Sequence, residues 1–264
     1  MVAEESPAGM PDAVCLIRPG QPYSQPQFTD GLKACGFSVT TDMRLKPKPD
    51  DVLLIWNRGG SRHHYALEFE RVGAKVIVAE NGWIGKTQNG GKFYSLALGW
   101  HNGLGQWRVG SDNRWPLLNT RLDPWRQRGD HILVLPSRGI GAQGVAMPRD
   151  WPGQITRRLK RLTKRPVRMR PHPGDGNASM ADDLKDCHAV VTWGSGAAVK
   201  AIAAGVPAYY ELKNWIGAGA AKLLCDNLEN PFLGDRLPMF QRLAWASWTA
   251  DEISTGEPFR NLLK

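Results

Sequence analysis

The chain is 264 residues long, 42% hydrophobic and 22% charged, with a formal net charge of +9; that length accommodates two compact α/β domains with sizeable cores. The charge favours a polyanionic partner, whether nucleic acid, anionic glycan or acidic membrane surface, without choosing among them. Cys15, Cys35, Cys187 and Cys225 stand singly, no basic segment followed by an apolar core opens the chain, and no apolar run approaches the roughly 18 to 20 residues of a membrane span. These features point to a cytoplasmic protein with reduced thiols and exclude integral membrane association.

Strands and helices alternate in two halves, the pattern that builds parallel sheets covered on both faces. In the first half, strands are expected at Val14 to Ile17, Phe37 to Thr40, Val52 to Trp56 and Lys75 to Ala79, with helices near Gln27 to Cys35 and His64 to Val72. A linker near Leu122 to Asp130 leads into the second half, with strands at Ile132 to Leu135, Val167 to Arg170, Ala189 to Thr192 and Ala208 to Tyr210. Its helices are expected near Trp151 to Thr163, Ala181 to Asp186 and Ala197 to Ala204. From Phe240 to Lys264, the spacing of Leu243, Ala244, Trp248 and Ile253 predicts a terminal helical segment packed as a brace across the halves. The fold class is thus α/β with two Rossmann-like domains, residues 1–127 and 128–264.

In open α/β sheets ligands bind beyond the carboxyl ends of the strands, and here those ends carry the functional side chains. They read Trp56-Asn57-Arg58-Gly59-Gly60, Glu80-Asn81-Gly82-Trp83, Pro136-Ser137-Arg138-Gly139 and Arg170-Pro171-His172-Pro173-Gly174. Each alone is accounted for by turn formation or a solvated cation; their recurrence at corresponding places is the signal. The most informative stretch is Thr192-Trp193-Gly194-Ser195-Gly196, a β-branched run entering a small-residue turn and a short helix. Backbone there approaches a ligand closely, and the unpaired N–H groups of the helix start favour phosphate.

His172-Pro173, the turn at Gly194, and Ala204-Gly205-Val206-Pro207 together resemble the donor-binding domain of GT-B glycosyltransferases. Glu80-Asn81-Gly82-Trp83 and His101-Asn102-Gly103 make the chain similar, over roughly Asp51 to Trp215, to the capsule-type and Kdo-transferase-like branch and to related bacteriophage glycosyltransferases. The resemblance implies two domains facing a cleft and a nucleotide-sugar donor, a UDP-sugar in the first instance, as co-substrate. Many relatives carry an acidic residue for the donor ribose near the start of the helix after the turn, whereas here Lys200 stands nearby.

On that resemblance, Gly194, Ser195 and Gly196 hold the diphosphate, Arg138, Lys200 and Arg58 supply positive charge on the donor side, and His172 lies beside the donor. The acceptor hydroxyl needs a general base from the first half, and Glu80 is the first candidate because burial after an apolar strand raises a carboxyl pKa; His101 is the second. No DxD pair stands at a strand end and no cluster has metal-ligand spacing, so metal-independent chemistry is expected.

The basic run Arg157, Arg158, Lys160, Arg161, Lys164, Arg165, Arg168 and Arg170, with Trp83 among eleven tryptophans, suggests an anionic acceptor surface. The preferred acceptor is a hydroxymethylated pyrimidine flipped out of double-stranded DNA. A surface polysaccharide or lipid-linked glycan is the alternative, and a sugar-nucleotide epimerase or a non-catalytic nucleotide- or DNA-binding module of the same fold stands behind both.

Overall fold

The structure, a computed structural model, describes residues 9–20, 23–102, 104–171 and 179–264. In chain order its elements are β1 (Asp12–Leu16), α1 (Gln25–Ala34), β2 (Ser38–Thr40), β3 (Val52–Trp56), α2 (Ser61–Arg71), β4 (Lys75–Asn81) and β5 (Tyr94–Leu98). Then follow β6 (His131–Leu135), α3 (Trp151–Leu162), β7 (Val167–Met169), α4 (Met180–Leu184), β8 (Cys187–Thr192), α5 (Gly196–Ala203), β9 (Ala208–Tyr210) and β10 (Lys222–Leu223). The chain ends with α6 (Leu237–Ala244), β11 (Ser247–Trp248), α7 (Ala250–Ser254) and α8 (Glu257–Leu263), and short 3-10 turns lie at Asp112–Leu118 and Ala218–Ala220.

Two sheets result. The first has the order β11-β5-β4-β3-β1-β2, parallel from β4 to β2 and antiparallel at β5 and β11; the second has the order β10-β9-β8-β6-β7 and is parallel throughout. The central strands read Val-Leu-Leu-Ile-Trp and His-Ile-Leu-Val-Leu and are buried at every position, as strands with helices on both faces must be. Alternate residues serve opposite faces: Leu54, Trp56 and Ile77 pack toward α1, α7 and α8, while Leu53, Ile55 and Val76 pack against α2. In the second sheet Leu133, Leu135 and Val190 face α5 and α6, and Ile132, Val134 and Val191 face α3.

Sheet order fixes where a ligand can sit. β2 and β3 flank β1 on opposite sides, and β7 and β8 flank β6 likewise, so each sheet has a topological switch point, beside β1 and beside β6, where the flanking loops diverge. Between the sheets the linker expected near residues 122–130 is irregular chain fastened to α5: Asp123 N–H donates to Ala203 O at 2.8 Å and Arg126 N–H to Gly205 O at 2.7 Å. Gly205 sits at φ +77° with Pro124 O only 2.1 Å from where a Cβ would stand, which is why glycine ends α5 there.

Three strands differ from the sequence reading. β5 and β10 lie outside the expected elements, and β11 interrupts the expected terminal helix. Trp248 is buried at the edge of the first sheet opposite Tyr94, because a long-range antiparallel pairing outweighs the local helical spacing. From Ser247 onward the chain, assigned in sequence to the second unit, packs with the first: α7 and α8 cover α1. Arg114 secures this return, pairing with Glu252 at 3.0 Å and lying 3.8 Å from the Trp248 ring centroid.

Candidate active site

The carboxyl ends of both sheets line one cavity of about 540 Å³. The first sheet contributes Tyr23, Trp56, Asn57, Glu80, Trp83 and His101; the second contributes Ser137, Arg138, Arg170, Ser195, Gly196 and Lys200. Of the residues singled out in sequence, Glu80, His101, Trp83, Arg138, Ser195, Gly196 and Lys200 are therefore brought together. His172 lies outside the described residues.

Glu80 follows the apolar run of β4, where the strand emerges from the core into the cavity. Its Oε1 accepts a hydrogen bond from Asn102 N–H at 2.9 Å. Asn102 adopts φ +59°, a left-handed conformation that asparagine tolerates better than most residues. The side chain keeps partial exposure at the cavity, yet the protein packed around it pushes its carboxyl up to about 7, with the Asn102 bond opposing the rise. Among the described residues Trp83 Nε1 has no hydrogen-bond partner, and its nearness to Glu80 also opposes the rise.

Trp83 is 5% exposed and belongs to the core of the second sheet, its ring tilted against that of Trp107 at a centroid distance of 5.7 Å and lying against Gly196. It seats the loop after β4 on the start of α5, which holds Glu80 opposite the helix N-terminus. His101 bridges the halves as well. Its Nδ1 accepts from Arg58 N–H at 3.2 Å and its Nε2 lies 3.4 Å from Ile140 O. These partners select the neutral ring protonated on Nε2, and burial lowers its pKa, against the pull of the Ile140 carbonyl. With both nitrogens engaged, His101 has less freedom to take a proton than Glu80.

The turn before α5 is built from its own side chains. Thr192, fully buried, donates from Oγ1 to Leu135 O at 2.8 Å and accepts Ser195 N–H at 2.8 Å, while Ser195 Oγ caps Ala197 N–H at 3.2 Å. The Ser195 amide thus points inward and the Ala197 N–H is taken by the Ser195 hydroxyl, so Gly196 N–H is the donor that the helix start presents to the cavity. Gly194 is not in the cavity wall: a Cβ there would stand 2.7 Å from Leu212 Cδ2, so its smallness serves packing. Lys200 is exposed one turn along α5 and lines the cavity. Arg170, at the end of β7, also reaches the wall while paired with Asp183 of α4.

Arg58, expected beside a donor, is turned inward. It is 1% exposed; its guanidinium takes both oxygens of Glu70 at 2.5 and 2.7 Å, donates to Gly99 O at 2.6 Å and lies 4.2 Å from the Trp100 ring centroid. Asn57 at φ +55° redirects the backbone and drives the next side chain under the loop after β5. Arg58 therefore positions residues 99–102, including the partner of Glu80.

The basic run separates too. Arg158 pairs with Glu211 and Asp226, and Arg165 with Glu229; Arg157, Arg161 and Lys164 are exposed. α3 runs from the carboxyl end of β6 to the start of β7 over 12 residues, so Arg161, Lys164 and Arg165 lie at the far end of the sheet, about 18 Å of helix from the cavity rim. Among the described residues no group of three or more His, Cys, Asp or Glu side chains is placed to hold a metal ion, and no helix is long and apolar enough to cross a membrane.

No protein-family model matches the chain, and no curated protein matches it. Among solved structures it is similar to the Thermosulfurimonas dismutans KpsC beta Kdo 2,4 transferase, with a TM-score of 0.51 and 12% identity over 90% of each chain. The beta Kdo 2,7 transferase of the same KpsC aligns with a TM-score of 0.49 and 13% identity over 95% of this chain and 99% of that one. The first likeness, at this identity, establishes a shared fold: a mixed α/β architecture of two mainly parallel, Rossmann-like sheets.

Proposed function

We propose that the chain is a glycosyltransferase of GT-B type, moving a sugar from a nucleoside diphosphate donor to a hydroxyl acceptor across the cavity between the two sheets. The observation that carries the reading is the facing of Glu80, raised to about 7, and the α5 N-terminus with Lys200 across one cavity. A base poised near neutrality and an anion-attracting helix start are the two halves of this reaction.

In the proposed step the acceptor oxygen forms a bond to the anomeric carbon as its proton passes to the Glu80 carboxylate. The bond from the anomeric carbon to the β-phosphate oxygen breaks, and the nucleoside diphosphate leaves with that electron pair. Its developing charge falls near Gly196 N–H, Ser195, Lys200 and Arg138 on the second sheet, groups suited to an oxyanion without rearrangement. The fold shared with the KpsC transferase supports the reading. For the acceptor, a glycan hydroxyl is preferred over a DNA base, since the α3 cations that suggested DNA stand away from the cavity.

The test is transfer itself: labelled nucleotide sugars offered with oligosaccharide acceptors and, in parallel, with DNA containing hydroxymethylated pyrimidine. Label moving to an oligosaccharide, and lost in Glu80→Gln, supports the reading. Label moving to DNA alone overturns the acceptor, and interconversion of donor without an acceptor overturns the transferase.

A further inference from the structure

A second pocket of about 480 Å³ opens beside the cavity at the switch point of the first sheet, sharing Tyr23, Trp56, Asn57, Arg138 and Ile140 with it. Its described lining residues include Arg18, Arg62 and Arg138 and no aspartate or glutamate. The cations on the first sheet are held by uncharged partners. Arg62 donates to Trp56 O at 2.7 Å, and Arg18 lies 5.9 Å from the Tyr23 ring centroid.

Two further features add positive potential to the same place. Gly59 and Gly60 line the pocket, and Gly60 is the N-cap of α2, whose first turn has no side-chain cap and no acidic residue. Arg62 occupies that first turn; a cation against the positive end of a helix dipole is disfavoured unless an anion joins it. Burial first, and then the charge of Arg18 nearby, lowers the Arg62 pKa, with Tyr23 opposing the shift.

We propose that this pocket is the subsite for an oxyanion, a carboxylate or a phosphate, carried by the acceptor. Its use for an acceptor rests on the transferase reading; its affinity for an oxyanion does not. Guanidinium forks match both oxyanions geometrically, and the position beside Glu80 leaves a neighbouring hydroxyl of the same molecule within the main cavity.

The experiment is arginine labelling of the full chain by phenylglyoxal, read residue by residue by mass spectrometry at constant ionic strength. Inorganic phosphate and glucuronate, the phosphate and carboxylate probes, are expected to slow labelling of Arg18 and Arg62 several-fold, and glucose is expected to leave it unchanged. In Arg18→Gln, an exposed position, protection of Arg62 is expected to fall. Unchanged labelling with both anions overturns the subsite.

Transfer assays then separate the two claims. A glucuronoside acceptor is expected to exceed the matching glucoside in kcat/KM by about tenfold, the worth of one charge-assisted hydrogen bond, and Arg18→Gln is expected to erase the difference. Equal use of the two acceptors overturns the acceptor assignment. Protection of Arg18 and Arg62 without transfer from any nucleotide sugar retains the oxyanion site and removes the transferase reading.

Discussion

Glu80 Oε1 and the backbone N–H of Asn102 meet at 2.9 Å, which fastens the carboxyl at the end of β4 to the loop after β5. The bond fixes the position of the carboxyl while burial sets its proton affinity at about 7. A carboxylate that must accept the acceptor proton is competent only when ionised, so kcat/KM is expected to rise with pH and level off above about 7. Glu80→Gln should lower kcat by about 10²- to 10⁴-fold, the usual worth of general-base help. A pH–rate profile of both proteins checks this; an acid limb near the ordinary carboxyl value would remove Glu80 from the proton-transfer step.

The same shift has a consequence for stability. Glu80 binds its proton more tightly folded than unfolded, with about 7 against a reference of 4.5. Wild-type stability therefore declines as pH rises from about 4.5 to about 7, and the full cost is present above that. Gln keeps an oxygen for Asn102 N–H and has no charge to desolvate. Glu80→Gln should match the wild type near pH 4 and exceed it near pH 8 by on the order of 2 kcal/mol, after discounting for partial exposure. Urea unfolding at the two pH values measures the difference.

Sequence made the central strands legible because β1, β3, β4, β6 and β8 are apolar runs ended by polar or small residues, a pattern that reports burial on both faces. β5, β10 and β11 were not legible: the last two have two residues each, and β11 exists only because Trp248 finds Tyr94 across the chain. The same contrast runs through the site. Glu80 closes the apolar run of β4 and Ser195 stands three residues after β8, so their address is local. Arg58 also follows a strand, but the left-handed turn at Asn57 sends it away from the cavity, and the carboxylate that receives it lies 12 residues on. Tyr23 reaches the cavity from the loop before α1 with no signal beyond its aromaticity.

Arg58 and Glu70 supply a prediction that separates positioning from binding. Arg58 is buried and Glu70 partly exposed, so Glu70→Ala leaves an interior guanidinium without its counter-ion, at a cost of about 3 kcal/mol. The loop at residues 99–102 should then loosen, seen as faster amide exchange at Asn102. Binding of a nucleoside diphosphate on the second sheet should stay within about twofold of wild type, a difference well below 1 kcal/mol. Calorimetric titration decides the point: a large loss of diphosphate affinity at unchanged fold would return Arg58 to the donor side.

Thr192 tests the turn that shapes the α5 N-terminus. Its hydroxyl links Leu135 O to Ser195 N–H in a fully buried setting. Thr192→Val preserves shape and β-propensity but leaves a carbonyl and an amide without this partner, which costs about 1–3 kcal/mol. The released Ser195 amide also frees the turn to shift, and with it Ser195 Oγ and Gly196 N–H. Nucleoside diphosphate affinity should therefore fall about tenfold, or about 1.4 kcal/mol, whereas Thr192→Ser, which keeps the hydroxyl, should retain most of it. Affinity that follows the lost methyl rather than the lost hydroxyl would mean that packing under Gly194, and not the hydrogen-bonded turn, prepares the anion site.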